Sequence, residues 1–276
     1  MLLDCAGQIV DLSRPAVMGI LNVTPDSFSD GGRFNDLERA LEHALRMVKE
    51  GAAIIDVGGE STRPGSATVS VEEEIARVVP VIEHLAPRIP VPISIDTSKA
   101  EVMRAAVAAG AGMINDVYAL RREGALEAAA GLKVPVCLMH MQGEPKTMQQ
   151  EPDYHDVVSE VHGFLQERVS CCLAAGIMQE HIIIDPGFGF GKSLAHNLSL
   201  LKHLDQFSAL RVPLLVGMSR KSMLGTVLDT ALEHRLIGSV AAALIAVERG
   251  ASIVRVHDVR ETVEALRLLA AVEDAV

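Results

Sequence analysis

The most constraining feature of this sequence is a repeated unit, a short apolar run rich in β-branched residues that is followed in most cases by an amphipathic stretch. There are eight such runs: Val17–Val23, Ala53–Val57, Ile93–Asp96, Met113–Val117, Val136–Met141, Ile182–Asp185, Leu214–Gly217 and Ser252–Val256. Short apolar runs of this kind, alternating with helical patterns, are typical of buried parallel strands in β-α units. Eight units in a chain of 276 residues predict an α/β fold, a single-domain (β/α)8 TIM barrel. An open doubly wound sheet is the alternative, which the strand count and the lack of a dinucleotide-binding fingerprint disfavour.

The stretches between the runs carry helix signals of their own. Apolar residues recur at helical spacing from Leu37 to Val48 and from Val71 to Leu85, where Pro80 is expected to kink the helix without ending it. Three sites have capping-box spacing: Ser70 with Glu73, Ser98 with Glu101, and Asp258 with Glu261. We expect residues 1–15 to form a short N-terminal extension that packs on the barrel, and residues 16–276 to form the barrel.

The stretch IIIDPGFGFGKS, residues 182–193, looks at first like a nucleotide-binding loop. A phosphate-binding loop that ends in Gly-Lys-Ser needs another glycine five places before the glycine of that triplet, and Pro186 occupies that place. Proline lacks the backbone N–H that a phosphate would use. Asp185, at the end of the strand, therefore needs a different explanation.

Polar residues stand at or just after the C-terminal ends of all eight predicted strands. They are Asn22, Asp56, Glu60, Asp96, Asn115, His140, Asp185, Ser219, Arg220, Lys221, Arg255 and His257. In a TIM barrel these positions face the active site. A single polar residue at a strand end is more often a cap or a loop hydrogen bond, but stability does not require one at every strand. The set therefore predicts a polar ligand site that includes Asp185.

Charge and composition limit the possible ligands and partners. The net charge of −11 disfavours nucleic acid and membrane surfaces, whereas Arg33, Arg63, Lys146 and the turn 219–222 predict a local anion site on the catalytic side. No apolar run is long enough to span a membrane and the N-terminus has no secretory signal, so we expect a cytoplasmic protein. The four scattered cysteines indicate no disulfide framework, and the lack of an HExxH motif argues against zinc.

The residue types at the strand ends suit a flat heterocycle that is rich in N–H donors. An ionised aspartate accepts two parallel N–H bonds, as from an amino-pyrimidinone edge, and Arg255 offers a planar guanidinium that can stack on such a ring. Arg63, Arg255 and His257 are suited to a polyanionic leaving group. Asn22 offers a neutral oxygen to a phosphate-bound Mg²⁺ that keeps most of its waters, so Mg²⁺ is the expected cofactor.

Eight motifs follow one another along the chain: MGILNVTPDSFSDGG, DVGGESTRPG, SIDTSKAEV, INDV, LMHMQGEPKTMQ, IIDPGFGFGK, VGMSRKSMLG and VRVHDV. From about Val17 onward they resemble the dihydropteroate synthases, a family of pterin-binding TIM barrels. The resemblance implies a transferase of folate biosynthesis that condenses 6-hydroxymethyl-7,8-dihydropterin diphosphate with p-aminobenzoate, giving 7,8-dihydropteroate and diphosphate. It also implies a dissociative substitution, competition by sulfonamides, and a homodimer formed through helices outside the barrel.

The resemblance also assigns expected roles to individual residues. Those expected to line the pterin pocket are Asp96, Asn115, Asp185 and Lys221, with Met139 and Phe190 as apolar walls. Those expected around the diphosphate are Asn22, Arg63, Arg255 and His257. Asn22 would also hold Mg²⁺, and Arg255 would also flank the pterin. Those expected to shape the p-aminobenzoate site are Phe28, Thr62, Arg63, Pro64, Ser219 and Ser222.

Two other readings of the motifs stay open at this point. A pterin-binding corrinoid methyltransferase shares the barrel and its Asp/Asn pocket, but it has no need of ESTRPG or SRKS, and no corrinoid-binding module is attached. A catalytically silent paralogue would bind pterin without turnover. The intact Asn22, Thr62, Arg63, Lys221 and His257 argue against it.

Overall fold

The computed structural model describes residues 1–24, 32–61, 68–143, 148 and 152–275. The strands are β1 (Leu2–Cys5), β2 (Gln8–Asp11), β3 (Ala16–Asn22), β4 (Ile54–Gly58), β5 (Ile93–Asp96), β6 (Met113–Asp116), β7 (Val136–Met139), β8 (Ile182–Asp185), β9 (Leu215–Val216) and β10 (Ile253–Val256). The helices are α1 (Gly32–Glu50), α2 (Val71–Leu85), α3 (Ala100–Ala108), α4 (Ala125–Leu132), α5 (Val157–Ala174), α6 (Leu194–Lys202), α7 (Ser222–Leu228), α8 (Leu236–Glu248) and α9 (Val259–Glu273).

Eight of the strands form one parallel sheet in the order β8-β7-β6-β5-β4-β3-β10-β9. A parallel bridge between Ile184 and Leu214 joins the two ends of that order, so the sheet closes on itself. Helices follow the strands and cover the outside of the sheet. The single-domain TIM barrel predicted from the sequence is confirmed.

The inward-facing residues of the barrel begin with an apolar layer near the N-terminal ends of the strands. Its strand members are Met18, Ile54, Met113, Cys137, Ile183, Leu215 and Ile253. The first two strands, β1 and β2, form an antiparallel hairpin whose Leu3, Cys5 and Val10 are buried in the same cluster. The hairpin therefore covers this end of the barrel with apolar side chains, and ligands must enter from the opposite end. The division of the chain at residue 15 stays a prediction.

The predicted helix signals had mixed outcomes. Ser70 caps α2 as predicted, since its hydroxyl accepts a hydrogen bond from the backbone N–H of Glu73 at 3.1 Å, and Pro80 lies inside that helix without ending it. The prediction for Ser98 is wrong, because α3 begins after Lys99 and has no side-chain cap. Asp258 precedes α9 but does not cap it, because its carboxylate accepts hydrogen bonds from Arg220 instead.

Four strands, β3, β6, β7 and β9, end one or two residues earlier than their apolar runs suggested. β6 ends at Asp116, whose two carboxylate oxygens accept the backbone N–H groups of Tyr118 and Leu120 at 2.8 and 2.7 Å and so form a turn. β7 ends at Met139. Among the described residues, no helix is long and apolar enough to cross a membrane.

Candidate functional site

A polar layer lies directly above the apolar layer inside the barrel. Side chains alternate between the two faces of a strand, so the residue two positions after each apolar inward residue also points inward. Ile54, for example, belongs to the apolar layer, and Asp56 follows it on the same face of β4. The same step of two places Asn115, Asp185 and Arg255 in the polar layer, and Asp96 enters it from β5.

Arg255 joins the carboxylates of this layer. Its Nε donates to Oδ2 of Asp56 at 2.6 Å, and its Nη2 donates to Oδ2 of Asp96 at 2.8 Å. The amide of Asn115 donates to the same oxygen of Asp56 at 3.1 Å. The other oxygen of Asp56 is buried and has no hydrogen-bond partner among the described residues. Since buried polar groups are normally paired, this acceptor indicates a place for a ligand donor.

Two carboxylates share one guanidinium in this network, which affects their protonation. Burial raises the pKa of Asp96 to about 7, and the neighbouring Asp56 acts in the same direction, while Arg255 opposes both. Burial disfavours the charge of Arg255, but Asp56 and Asp96 outweigh it and raise the pKa of the guanidinium. Arg255 is therefore the fixed cation of the layer, and Asp96 is a carboxyl that can take up a proton near neutral pH.

Asp185 and Lys221 form a second part of the layer. Oδ1 of Asp185 accepts the backbone N–H of Gly187 at 2.7 Å, and burial raises the pKa of this carboxyl. Nζ of Lys221 donates to the carbonyl of Phe188 and lies 4.6 Å from the ring centroid of Phe190. Burial lowers the pKa of Lys221 to about 8. This part of the site combines a buried anion with a partly buried cation, and both contact the loop that follows β8.

An apolar wall adjoins Lys221. Met139 and Phe190 belong to one cluster, which also contains Val117, Met141 and Met148. An apolar wall beside convergent polar groups is the usual character of a small-molecule site.

Asn22, Ser219 and His257 lie on the same rim. Asn22, Gly58 and Asp96 are neighbours across three adjacent strands. A Cβ built on Gly58 would lie 3.7 Å from Oδ1 of Asn22 and 3.8 Å from Oδ2 of Asp96, so the glycine leaves both oxygens accessible above the sheet. On the neighbouring strands, the hydroxyl of Ser219, which follows β9, lies 3.0 Å from Nδ1 of His257, which follows β10.

Comparisons with known proteins show the family of this chain. Residues 18–257 match the family model described as pterin binding enzyme. The chain is 58% identical over 271 residues to the dihydropteroate synthase of Escherichia coli strain K12, covering 98% of this chain and 96% of the relative. The chain belongs to the dihydropteroate synthase family.

Solved structures of dihydropteroate synthases match over the whole chain. The enzyme of Xanthomonas albilineans with 4-aminobenzoic acid is 56% identical with a TM-score of 0.95, covering 100% of this chain and 99% of its own. The enzyme of Yersinia pestis in a sulfonamide drug complex is 57% identical with a TM-score of 0.95, and both chains are covered completely.

Several predicted residues lie outside the part of the chain that the structure describes. They are Phe28, Thr62, Arg63, Pro64 and Lys146, together with the side chain of Arg33. Their expected roles stay predictions. Ser222 is described, and it is the first residue of α7, as the sequence indicated.

Three strand-end residues do not join the polar layer. His140 follows Met139, which faces inward, so its own side chain points out of the barrel and packs edge-on against Phe164, with ring centroids 4.9 Å apart. Glu60 turns away toward Nζ of Lys99 at 2.7 Å. The guanidinium of Arg220 pairs with Asp258 at 2.5 Å and is partly exposed. For these residues, the prediction of a ring at every strand end is wrong.

Two lysines that sequence reasoning did not single out are connected to the site. Lys99 pairs with Glu60 and, at 2.5 Å, with the fully buried Glu74, so it holds the chain that leaves β4. Lys192 is buried beneath the loop after β8. Neither belongs to a spacing that identifies a site, because each depends on contacts between distant segments.

Proposed function

We propose that this chain condenses 6-hydroxymethyl-7,8-dihydropterin diphosphate with p-aminobenzoate, releasing 7,8-dihydropteroate and diphosphate in folate biosynthesis. The observation that supports it is the polar layer inside the barrel of a dihydropteroate synthase family member, in which Asp56, Asn115 and Asp185 are buried and Asp96 is largely so. A pterin presents amino and ring N–H donors along one edge, and carboxylate and amide oxygens are their complement.

The pterin ring would lie in this layer against the apolar wall. Asp185 would accept the donors of the amino-pyrimidinone edge, because its second carboxylate oxygen is not used by Gly187. Asp96 and Asn115 would contact the opposite part of the ring, and Lys221 would donate to a ring acceptor. Arg255 would flank the ring, since its guanidinium is already held on Asp56 and Asp96.

The diphosphate would lie at the rim beside Asn22, Arg63, Arg255 and His257. Asn22 fits Mg²⁺ as a single protein ligand, because its amide oxygen is accessible beside Gly58 and makes no hydrogen bond to a described residue. The described residues contain no cluster of three or more His, Cys, Asp or Glu side chains that could hold a metal. Bound there, Mg²⁺ would neutralise charge that develops on the leaving oxygens.

The chemistry follows as a dissociative substitution. The bond between the pterin methylene carbon and the diphosphate oxygen breaks, and the electron pair leaves with the oxygen. Arg255 and His257 stabilise the departing charge, and the carboxylates of the layer stabilise the pterin-methyl cation. The amine of p-aminobenzoate then forms the new C–N bond with its lone pair and releases one proton. An aniline is neutral at pH 7, so no residue has to remove a proton before the attack.

The p-aminobenzoate site is proposed to include Phe28, Thr62, Arg63, Pro64, Ser219 and Ser222. Of the described members, Ser219 is held by His257 and Ser222 begins α7. The relatives solved with 4-aminobenzoic acid and with a sulfonamide drug support a shared site for substrate and inhibitor. We therefore expect sulfonamides to compete with p-aminobenzoate for binding to this chain.

A steady-state assay of diphosphate release tests the proposal. Release that requires both the dihydropterin diphosphate and p-aminobenzoate is the expected result. Pterin binding with no diphosphate release would indicate a silent pterin-binding protein and overturn the proposed activity. Methyl transfer from a methylated pterin to a corrinoid would overturn it in favour of the methyltransferase alternative.

We also propose a cytoplasmic homodimer. Apolar residues on three consecutive outer helices are exposed: Val227 of α7 at 53%, Ile237 of α8 at 81%, and Leu268 and Val272 of α9 at 68% and 66%. α8 packs against both α7 and α9, so these side chains belong to one face of the barrel. An exposed apolar face of this kind is typical of a subunit interface. Light scattering of wild-type protein and of Ile237→Glu tests the proposed dimer. Wild-type protein should have the mass of a dimer and Ile237→Glu that of a monomer. A monomeric wild type at micromolar concentration would contradict the proposal.

A further inference from the structure

Lys192 closes the loop that connects β8 to α6, and its environment is unusual for a lysine. The side chain is only 2% exposed, and no carboxylate of a described residue lies within ion-pair distance of its Nζ. Lysine is almost never buried without a partner, because removing an ammonium from water is costly. The loop must therefore supply the solvation that water would otherwise give.

Four acceptors surround the ammonium at hydrogen-bond distance. The nearest three are Nδ1 of His140, the carbonyl of Gly187 and the carbonyl of Phe190, each 2.9 Å from Nζ, and the carbonyl of His140 is fourth at 3.4 Å. An ammonium has three protons, so all three are used when the lysine is charged. Burial lowers the pKa of His140 to about 2, and Lys192 adds to this effect, so the imidazole is neutral and its Nδ1 accepts. Burial lowers the pKa of Lys192 to about 7, against the opposing effect of Asp185, and the charged form is held like a small internal cation.

The acceptors belong to a loop pressed tightly against the segment after β7. Gly187 has φ of +68°, and a Cβ there would lie 1.9 Å from the carbonyl oxygen of His140. At Gly191 a Cβ would lie 2.4 Å from the carbonyl of Gln142. Such close contact between two backbones brings carbonyl groups together, and the ammonium of Lys192 compensates their mutual repulsion. The loop and the segment after β7 are therefore joined at Lys192.

The same loop carries the groups that face the pterin layer. The backbone N–H of Gly187 donates to Asp185, and the carbonyl of Phe188 accepts from Lys221. Lys192 holds the carbonyls of Gly187 and Phe190, which lie on either side of Phe188. Displacement of these carbonyls would move the partners of both Asp185 and Lys221.

We propose that Lys192 is a positioning residue for the pterin site: its ammonium fixes the loop 187–190 so that Asp185 and Lys221 are held in place, without contacting the substrate itself. The inference rests on the proposed function, since it assumes that pterin binds in this layer. It also accounts for the Gly-Lys-Ser triplet at the end of the loop. Lysine binds backbone carbonyls here, and Ser193 caps α6 by accepting the N–H of His196 at 3.2 Å.

The experiment compares Lys192→Met with wild type by titration of 6-hydroxymethylpterin and by steady-state kinetics. Because a misplacement of about 1 Å in a site can cost on the order of a hundredfold, we expect a pterin Kd raised roughly ten- to a hundredfold. The KM for the dihydropterin diphosphate should rise in parallel, while kcat changes much less. Lys202→Met, which removes an exposed lysine from α6, is the matched control and should behave as wild type.

A second variant separates positioning from general damage to the fold. Lys192→Ala removes three methylene groups and the ammonium, so n-propylammonium has the size and charge to replace them. Added n-propylammonium should restore pterin binding to this variant, whereas tetramethylammonium, which has no N–H donors, should not. If Lys192→Met does not fold, Lys192→Gln takes the place of Lys192→Met in the titration. The glutamine retains two N–H donors but carries no charge.

The outcomes are distinct. If folded Lys192→Met, or Lys192→Gln in its place, binds pterin with wild-type affinity, the inference is overturned and the proposed function stands. The inference is also overturned if Lys192→Ala binds pterin weakly and neither alkylammonium changes that affinity. If wild-type protein itself binds no pterin, the proposed function fails and the inference fails with it.

Discussion

Replacement of Asp185 by asparagine isolates the role of its charge, because the two side chains have almost the same shape. Asp185 is 6% exposed, and its Oδ1 accepts the N–H of Gly187, a hydrogen bond that an amide oxygen can keep. The second oxygen is replaced by an NH₂ group, which would face the donors of the pterin with donors of its own. Loss of one charge-assisted hydrogen bond costs about 1.5–3 kcal/mol, which weakens binding roughly ten- to 150-fold.

Isothermal titration of a pterin ligand into folded Asp185→Asn measures this loss. Asp156→Asn is the matched control, because it makes the same substitution at the N-terminus of α5, where the carboxylate only caps the helix. The control should lose some stability and keep wild-type affinity. Wild-type affinity in a folded Asp185→Asn variant would refute the argument and leave Asp185 as a turn residue.

Four further predictions follow from the site and its supports. Turnover should cease with a chelator and return with Mg²⁺, while binding of a pterin without diphosphate should not change; full activity in excess chelator would remove Asn22 from its proposed role. Lys99→Met should lower the free energy of unfolding by about 3 kcal/mol or more, because Glu74 is left buried and unpaired, whereas Arg14→Met, at an exposed ion pair, should change denaturation little. The pKa of Asp96 is raised to about 7, so the folded state holds this proton more tightly than the unfolded state does. The free energy of unfolding should therefore fall as pH rises from about 4 to 7. Asp96→Asn should remove that part of the pH dependence, as measured by denaturation curves at several pH values. Finally, p-aminobenzoate should bind the free protein weakly and more tightly once pterin and diphosphate are present, in competition with a sulfonamide; equal affinity in calorimetry with and without diphosphate would contradict this order.

The sequence predicted the parts of the fold and site that depend on local periodicity. Apolar runs repeat eight times with helical stripes after most of them, and the fixed alternation of side chains along a strand brings Asp56, Asn115 and Asp185 into one layer. His140 shows where that reasoning was incomplete. It lies one residue beyond an inward-facing position, so strand alternation turns it outward, although it too stands at a strand end.

The remaining features depend on contacts between segments that are far apart in the chain. Arg255 meets Asp56 across 199 residues, and Lys192 meets His140 across 52. Periodicity within a segment does not specify which side chains meet across the barrel. The same holds for Asp258, whose spacing with Glu261 indicated a helix cap but whose carboxylate accepts from Arg220. Competition between a local cap and a distant cation is settled only by the tertiary structure.

The central claim is that this barrel joins a pterin to p-aminobenzoate in the layer around Asp185 and Arg255. Mass spectrometry of the purified protein incubated with dihydropterin diphosphate, Mg²⁺ and p-aminobenzoate labelled with ¹⁵N at the amine tests it most directly. The label is expected in 7,8-dihydropteroate, in an amount equal to the diphosphate released and over many turnovers. Diphosphate released with only the hydroxymethyl pterin as organic product, or bound pterin with no product at all, would contradict it.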